Sequence, residues 1–302
     1  MQWGHFQAGI IYDDHLLNNK NIDSLKVLFV PGLEVVTEEL LAKLNELRSK
    51  GVILVGDEFT LPALMVDLRI KSVRRDEKAP AATKAQLQKL GALLAKSLEK
   101  HFSRSATASN QDIILRERGG KGADYLFILN DKRTFGNYVG QWKMVQEKGV
   151  TNSGTVSVNS SAQGAYDLVN HCEIPFERKG RVCRFKVTLP PGDGKLFLLL
   201  DRKIGKAEVK LPGTVRKGEK FAVNCRMTDT RGELLAEFLP VELIMTDSAG
   251  NRLPGSGFYT TEKGLLTVNE VMAPNAASGK MKTVLRCLAT GKRVEVISEI
   301  KE

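Results

Sequence analysis

Cysteine is scarce in this chain and poorly spaced for metal binding. Cys172, Cys183, Cys225 and Cys287 are the only four in 302 residues, none sits in a CxxC pair, and no paired histidines stand near them. That pattern argues against a zinc site, and neither a metal nor a cofactor is expected. Long apolar runs are missing as well: no stretch approaches the roughly 18–20 residues needed to cross a bilayer, so no membrane partner is expected. The opening residues "MQWGHFQAGIIYDDH" contain neither a basic segment nor a long apolar one. With no secretory signal in view, the chain as it stands is assigned to the cytoplasm. Two nucleophile motifs are also absent. No GxSxG turn is present, and the first 111 residues hold His5, His15 and His101 but no cysteine for them to activate.

Charge is present in excess but not in clusters. The net charge is +10, which on its own raises the possibility of a polyanionic partner. Divided after Asn110 and after Ile204, the thirds each carry fifteen Lys plus Arg and have net charges of +2, +5 and +3. An excess spread in this way reads as a solvated surface, and nucleic acid is not expected as a partner.

The first third alternates short apolar runs with amphipathic stretches. "AGIIY" (residues 8–12), "VLFV" (27–30) and "VILV" (52–55) are continuous rather than alternating, as in parallel strands covered on both faces. Between the second and third, Leu40, Leu41, Leu44 and Leu47 recur at helical spacing, with Thr37 placed as N-cap and Gly51 as the left-handed C-terminal residue. A second helix follows "EKAPAATKAQ" with Leu87, Leu90, Leu94, Leu98 and Phe102 as its stripe, and "SRSATASNQ" has linker composition. From Asp112 onward the spacing predicts only short strands broken by turns, in two sets. The expected domains are 1–110 (α/β, truncated at its N-terminus because "MQWGHFQ" reads as the tail of a helix), 111–204 (an antiparallel β-sandwich) and 205–302 (an immunoglobulin-like antiparallel β-sandwich). Cys225 and Cys287 fall on an early and a late strand of the last set, where an inter-sheet disulfide is conceivable, but buried free thiols are the preferred reading.

Three features are candidates for function. Asp57 and Glu58 close a parallel strand at its carboxyl end, where open α/β sheets place ligands, and Asp13 ends the run before them. They would be the carboxylates of a hydrolase. "TFGNYVGQWKMVQEKG" (134–149) is read as a loop whose Phe135, Tyr138 and Trp142 contact carbohydrate or a neighbouring domain. "GGKG" (119–122) joins two strands and is read as a turn rather than a phosphate cradle.

"VLFVPGLEVVTEELLAKLNELRSKGVILVGDE", together with "ADYLFILND" and "GAYDLV" followed by "LPPGDGKLFLLL", resembles the region downstream of the catalytic barrel in large bacterial glycoside hydrolases. The first segment is similar to the flavodoxin-like, amidotransferase-like domain of family 42 β-galactosidases, and residues 206–300 are similar to appended immunoglobulin-like modules. The resemblance implies a flavodoxin-like α/β domain followed by β-sandwiches. It also implies self-association, as in a trimer, and packing against a catalytic domain missing here. Retaining glycosidases need two carboxylates about 5–5.5 Å apart, presented in that family by a barrel of about 250 residues. Nothing in the chain matches the barrel, so the resemblance carries over no catalytic residue. The implied role is that of non-catalytic accessory modules.

Overall fold

A computed structural model describes the chain apart from residues 21, 75, 77, 121 and 140–144 and the side chains of 136–147. It divides into two compact units, Met1–Arg104 with Asp131–Val150, and Ser105–Asn130 with Thr151–Glu302. The chain is predominantly β, with several antiparallel sheets and one parallel sheet.

In the first unit a short helix α1 (Asp13–Leu17) precedes strand β1 (Val27–Phe29), helix α2 (Glu38–Ser49), strands β2 (Ile53–Asp57) and β3 (Leu68–Ile70), and helix α3 (Pro80–Leu98). The strands form a parallel sheet in the order β1-β2-β3. Successive strand residues point to opposite faces, and both faces are covered. Leu28 and Leu54 pack with Leu44 and Leu47 of α2, whereas Val27, Phe29, Ile53 and Val55 pack with Leu90, Leu94 and Leu98 of α3 and with Phe6 and Phe102. Two covered faces explain why these strands read as continuous apolar runs. Helix α2 begins where Thr37 Oγ1 accepts the Leu40 N–H at 3.2 Å. It ends before Gly51, whose φ of 92° suits a residue without Cβ.

One expectation fails in this unit. "AGIIY" is not a strand: Ile10 is 85% exposed and Tyr12 62%, and β3 supplies the third strand instead. The first residues form a 3-10 turn, Gln2–Gly4.

The segment read as a linker contains strand β4 (Ala106–Ala108), which pairs antiparallel with a later strand and buries Ala106. Hairpin β5 (Ile113–Gly120) and β6 (Ala123–Asn130) follows. Residues 134–139 and 145–149 are strands rather than loop: β7 (Arg133–Val139) and β8 (Val145–Gly149) pair antiparallel and cluster with the first unit, while 140–144, within the loop read from the sequence, lie outside the described residues.

The second unit continues with β9 (Asn152–Asn159), β10 (Gly164–Asp167), β11 (Cys172–Glu173), β12 (Glu177–Lys179), β13 (Val182–Leu189) and β14 (Gly194–Leu200). Sheets β11-β10-β14-β6-β5 and β12-β13-β9-β4 enclose Ile113, Leu126, Ile128, Val156, Val158, Phe185 and Leu189. A second pair of sheets uses β15 (Ile204–Lys210), β16 (Thr214–Arg216), β17 (Lys220–Asp229), β18 (Leu239–Thr246), β19 (Gly257–Thr261), β20 (Leu265–Val271), β21 (Gly279–Cys287) and β22 (Arg293–Lys301). Their orders are β15-β17-β20 and β16-β22-β21-β18-β19. This pair is not purely antiparallel, because β16 runs parallel to the C-terminal strand β22 along its edge. Cys225 and Cys287 are buried free thiols, and burial pushes the Cys225 thiol up to about 11.

The two pairs of sheets share a core. Ala123, Tyr166, Leu198 and Leu200, on the opposite face of their sheet from Phe197 and Leu199, pack with Ile204, Met227 and Leu239. Tyr166 is fully buried, and its phenol oxygen accepts the Ile204 N–H at 2.8 Å, at the start of β15. Tyr125 adds a hydrogen bond from its hydroxyl to Phe238 O at 2.7 Å.

Two stability measurements check this packing. Leu54→Ala, at a site with no exposure, is expected to cost about 2–5 kcal/mol in denaturant unfolding. Tyr166→Phe strands the Ile204 N–H and is expected to cost about 1–3 kcal/mol. Burial holds the Tyr166 phenol up to about 12, above its unfolded value of about 10. Its contribution is therefore complete below about pH 10 and lost as pH rises toward 12, so wild type and Tyr166→Phe should converge in stability across that window.

Candidate functional site

The strand-end acids are structural tethers. Asp57 is buried, and its Oδ1 accepts the Gly32 N–H at 2.9 Å, the Phe59 N–H at 3.1 Å and a contact from the Thr60 hydroxyl at 3.1 Å. Its own N–H donates to Thr60 Oγ1 at 2.8 Å, and Thr60 Oγ1 lies 2.9 Å from Val30 O. One carboxylate oxygen thus ties the turn after β1 to the turn after β2. The close approach of Thr60 also requires glycine at 56, where a Cβ would come 2.7 Å from Thr60 Oγ1. Burial alone would raise the Asp57 carboxyl, but the donors from Gly32, Thr60 and Phe59 outweigh it and hold the group below its ordinary value.

Glu58 is exposed and reaches the segment after β3, accepting the Ser72 N–H at 2.7 Å and the Ser72 hydroxyl at 2.9 Å. Those bonds, led by the Ser72 N–H, hold its carboxyl below the ordinary value too. Asp13 stands at the start of α1, where its Oδ1 accepts the Asp14 N–H at 3.0 Å. No hydrogen bond or ion pair links Asp13 to Asp57 or Glu58. Among the described residues no three of His, Cys, Asp and Glu come together as a metal site. A general acid works best with a carboxyl raised toward the working pH, and both strand-end acids are shifted the other way.

A cleft of about 160 Å³ lies elsewhere in the same unit, lined by Trp3, Pro80, Thr83, Lys84, Leu87, Arg133 and Phe135. Three elements build it. The turn Gln2–Gly4 presents Trp3 and packs tightly on α3, since a Cβ on Gly91 would stand 3.0 Å from Gly4 N. On α3, Pro80, Thr83, Lys84 and Leu87 recur at three- and four-residue steps and so share one side. Strand β7 supplies Arg133 and Phe135.

Asp131 organises the wall. Its Oδ2 accepts the Trp3 Nε1–H at 2.9 Å and lies 3.2 Å from Lys84 Nζ, while its Oδ1 lies 2.7 Å from an Arg133 guanidinium nitrogen. Lys84 also donates to the Asp131 backbone oxygen at 2.6 Å, and its ammonium sits 6.0 Å from the Trp3 ring centre. The result is an indole and a phenyl ring beside two cations fixed by one carboxylate. Its volume is below the 300 Å³ at which drug-sized sites begin.

Of the three aromatics singled out in the sequence, Phe135 lines this cleft. Tyr138 lies on β7, but its side chain is outside the described residues, as is all of Trp142. Trp3, Lys84, Asp131 and Arg133 carry no sequence motif. The one local hint is the short spacing of Asp131, Arg133 and Phe135 along a single segment.

No family model matches the chain, and no curated protein does. Among solved structures, Gan42B, a family 42 β-galactosidase from G. stearothermophilus, aligns over 66% of this chain and 34% of its own, at 13% identity and a TM-score of 0.38. A β-glycosidase from Bacteroides vulgatus aligns over 50% of this chain and 23% of its own, at 11% identity and 0.24. Glycoside hydrolases are among its partial structural neighbours. So is the Lin-41 filamin domain, which aligns over 33% of this chain and 96% of its own, at 10% identity and 0.27. The chain spans about a third of the length of the β-galactosidase, and at these scores none of the likenesses bears on activity.

Asp57→Asn is expected to weaken the charged hydrogen bonds at the strand ends and to cost about 1.5–3 kcal/mol at neutral pH. Because the folded carboxyl is depressed, this contribution is present above the unfolded value of about 3.9 and lost as pH falls below it. The difference between wild type and Asp57→Asn in thermal unfolding should therefore shrink on acidification through that value.

Proposed function

We propose that this chain acts as a set of non-catalytic accessory modules in a glycoside-hydrolase-like setting, holding domains together and contacting carbohydrate through the cleft beside Trp3. On this reading the β1–β3 unit is a flavodoxin-like scaffold, the final sheets are an immunoglobulin-like module, and the chain associates with itself or with a catalytic domain. One observation carries the proposal. Asp57, the best-placed candidate for acid or base chemistry, is committed to joining two turns and is held ionised by their N–H groups. The cleft supports the carbohydrate part, because an indole and a phenyl ring offer apolar faces to a sugar while Lys84 and Arg133 border them.

The purified chain is expected to release no nitrophenol from aryl glycosides and to sediment as an oligomer. By titration calorimetry it should bind monosaccharides weakly, with affinity reduced about tenfold in Phe135→Ala, equivalent to 1.4 kcal/mol. Turnover abolished by Asp57→Asn in a folded variant would contradict this reading and favour a hydrolase acting through Asp13, Asp57 and Glu58.

A further inference from the structure

The middle third of the chain has the largest net positive charge, +5, and the fold places part of it on one sheet face. In the sheet β12-β13-β9-β4, Cys183, Phe185, Val187 and Leu189 of β13 and Val156 and Val158 of β9 point into the core. The alternate residues therefore point outward. Register places Arg184 opposite Ser157, Lys186 opposite Thr155, and Thr188 opposite Ser153, while Lys179 of β12 stands beside Val182. Side chains two residues apart along a strand are about 7 Å apart, so hydroxyls and cations run in adjacent parallel rows. Ser153 and Thr188 are already joined across the strands, hydroxyl to hydroxyl, at 3.0 Å.

In the second sandwich Lys206, Lys217, Lys282 and Lys301 are each paired with a glutamate, while others there, such as Lys210, Lys220 and Lys280, form no ion pair among the described residues. Among the described residues Lys179, Arg184 and Lys186 form no ion pair, and Arg184 and Lys186 are exposed. The one acid on the face, Glu177, sits opposite Arg184 at the edge strand and leaves a net charge of +2 there. A flat row of unpaired cations beside a row of hydroxyls matches an extended polymer that bears both carboxylates and hydroxyl groups.

We infer that the outer face of this sheet, centred on Arg184, Lys186, Thr155 and Ser157, binds an acidic polysaccharide of the polyuronate type. The cations would meet the carboxylates, and the serine and threonine hydroxyls would exchange hydrogen bonds with those of the sugar. A neutral glycan is less suited, because the outward residues of β9 and β13 include no ring to stack on a sugar face. The same lack disfavours single-stranded nucleic acid, which relies on aromatic platforms. The site is separate from the cleft beside Trp3, so either can fail without the other.

The test is affinity electrophoresis and calorimetry of the intact chain with polygalacturonate at several salt concentrations. Binding should weaken with salt. The double variant Arg184→Gln/Lys186→Gln should bind at least about tenfold more weakly, with the slope of log affinity against log salt reduced by about 1–2 for two lost cation–carboxylate contacts. Thr155→Val should weaken binding without changing that slope. Lys282→Gln/Lys301→Gln, which removes the same charge from the second sandwich, should bind as wild type. Because Arg184 and Lys186 are exposed, circular dichroism should show the double variant folded. Unchanged binding by the folded double variant would overturn the inference, as would equal weakening by the two double variants. Equal or tighter retention of duplex DNA or of phosphatidylserine vesicles through Arg184 and Lys186 would also overturn it.

Discussion

The carboxyl edge of the parallel sheet depends on one oxygen. Asp57 Oδ1 collects N–H groups from Gly32, after β1, and from Phe59, after β2, while Thr60 links the same turn to Val30. Arg69, on β3, donates to the backbone oxygens of Asp57 and Thr60, so all three strand ends meet around this residue. Open α/β sheets place ligands at this edge. Here the acid that could serve one is used to fix the backbone. Its lowered pKa follows from the same geometry, since N–H groups converging on a buried oxygen favour its charged form. The functional reading of the chain rests on that assignment.

The second unit is governed by a different constraint. Its two pairs of sheets bury one shared set of side chains, and Tyr166 fits because its hydroxyl meets the Ile204 N–H where the next module begins. Only three residues, 201–203, separate β14 from β15, so the modules are joined by packing and hydrogen bonding as well as by the chain.

Much of this architecture was legible in the sequence where one local rule dominates. The Thr37 cap, Gly51 and the leucine stripe specify α2, and the continuous runs at 27–30 and 52–55 mark strands covered on both faces. The misreadings arose where the deciding partner is remote. "AGIIY" has the composition of a strand but no neighbour to pair with, and β4 has the composition of a linker but pairs with β9. The hairpin β7–β8 looked like a loop because its glycines and polar residues hide the alternation. For the site, Phe135 was visible as an unusual aromatic. The cluster of Trp3, Lys84 and Asp131 was not, since its members lie 128 and 47 residues apart in the chain. The outward row on β9 and β13 could be assigned only once register was known.

The assignment of Asp57 as a tether rather than an acid is tested most directly by its own titration. Carbon-13 NMR of the Asp57 carboxyl as a function of pH should show it ionising below about 3.9, the ordinary aspartate value, with no further change near neutrality. A carboxyl that titrates between about pH 5 and 7, the range of a general acid or base, would contradict the account.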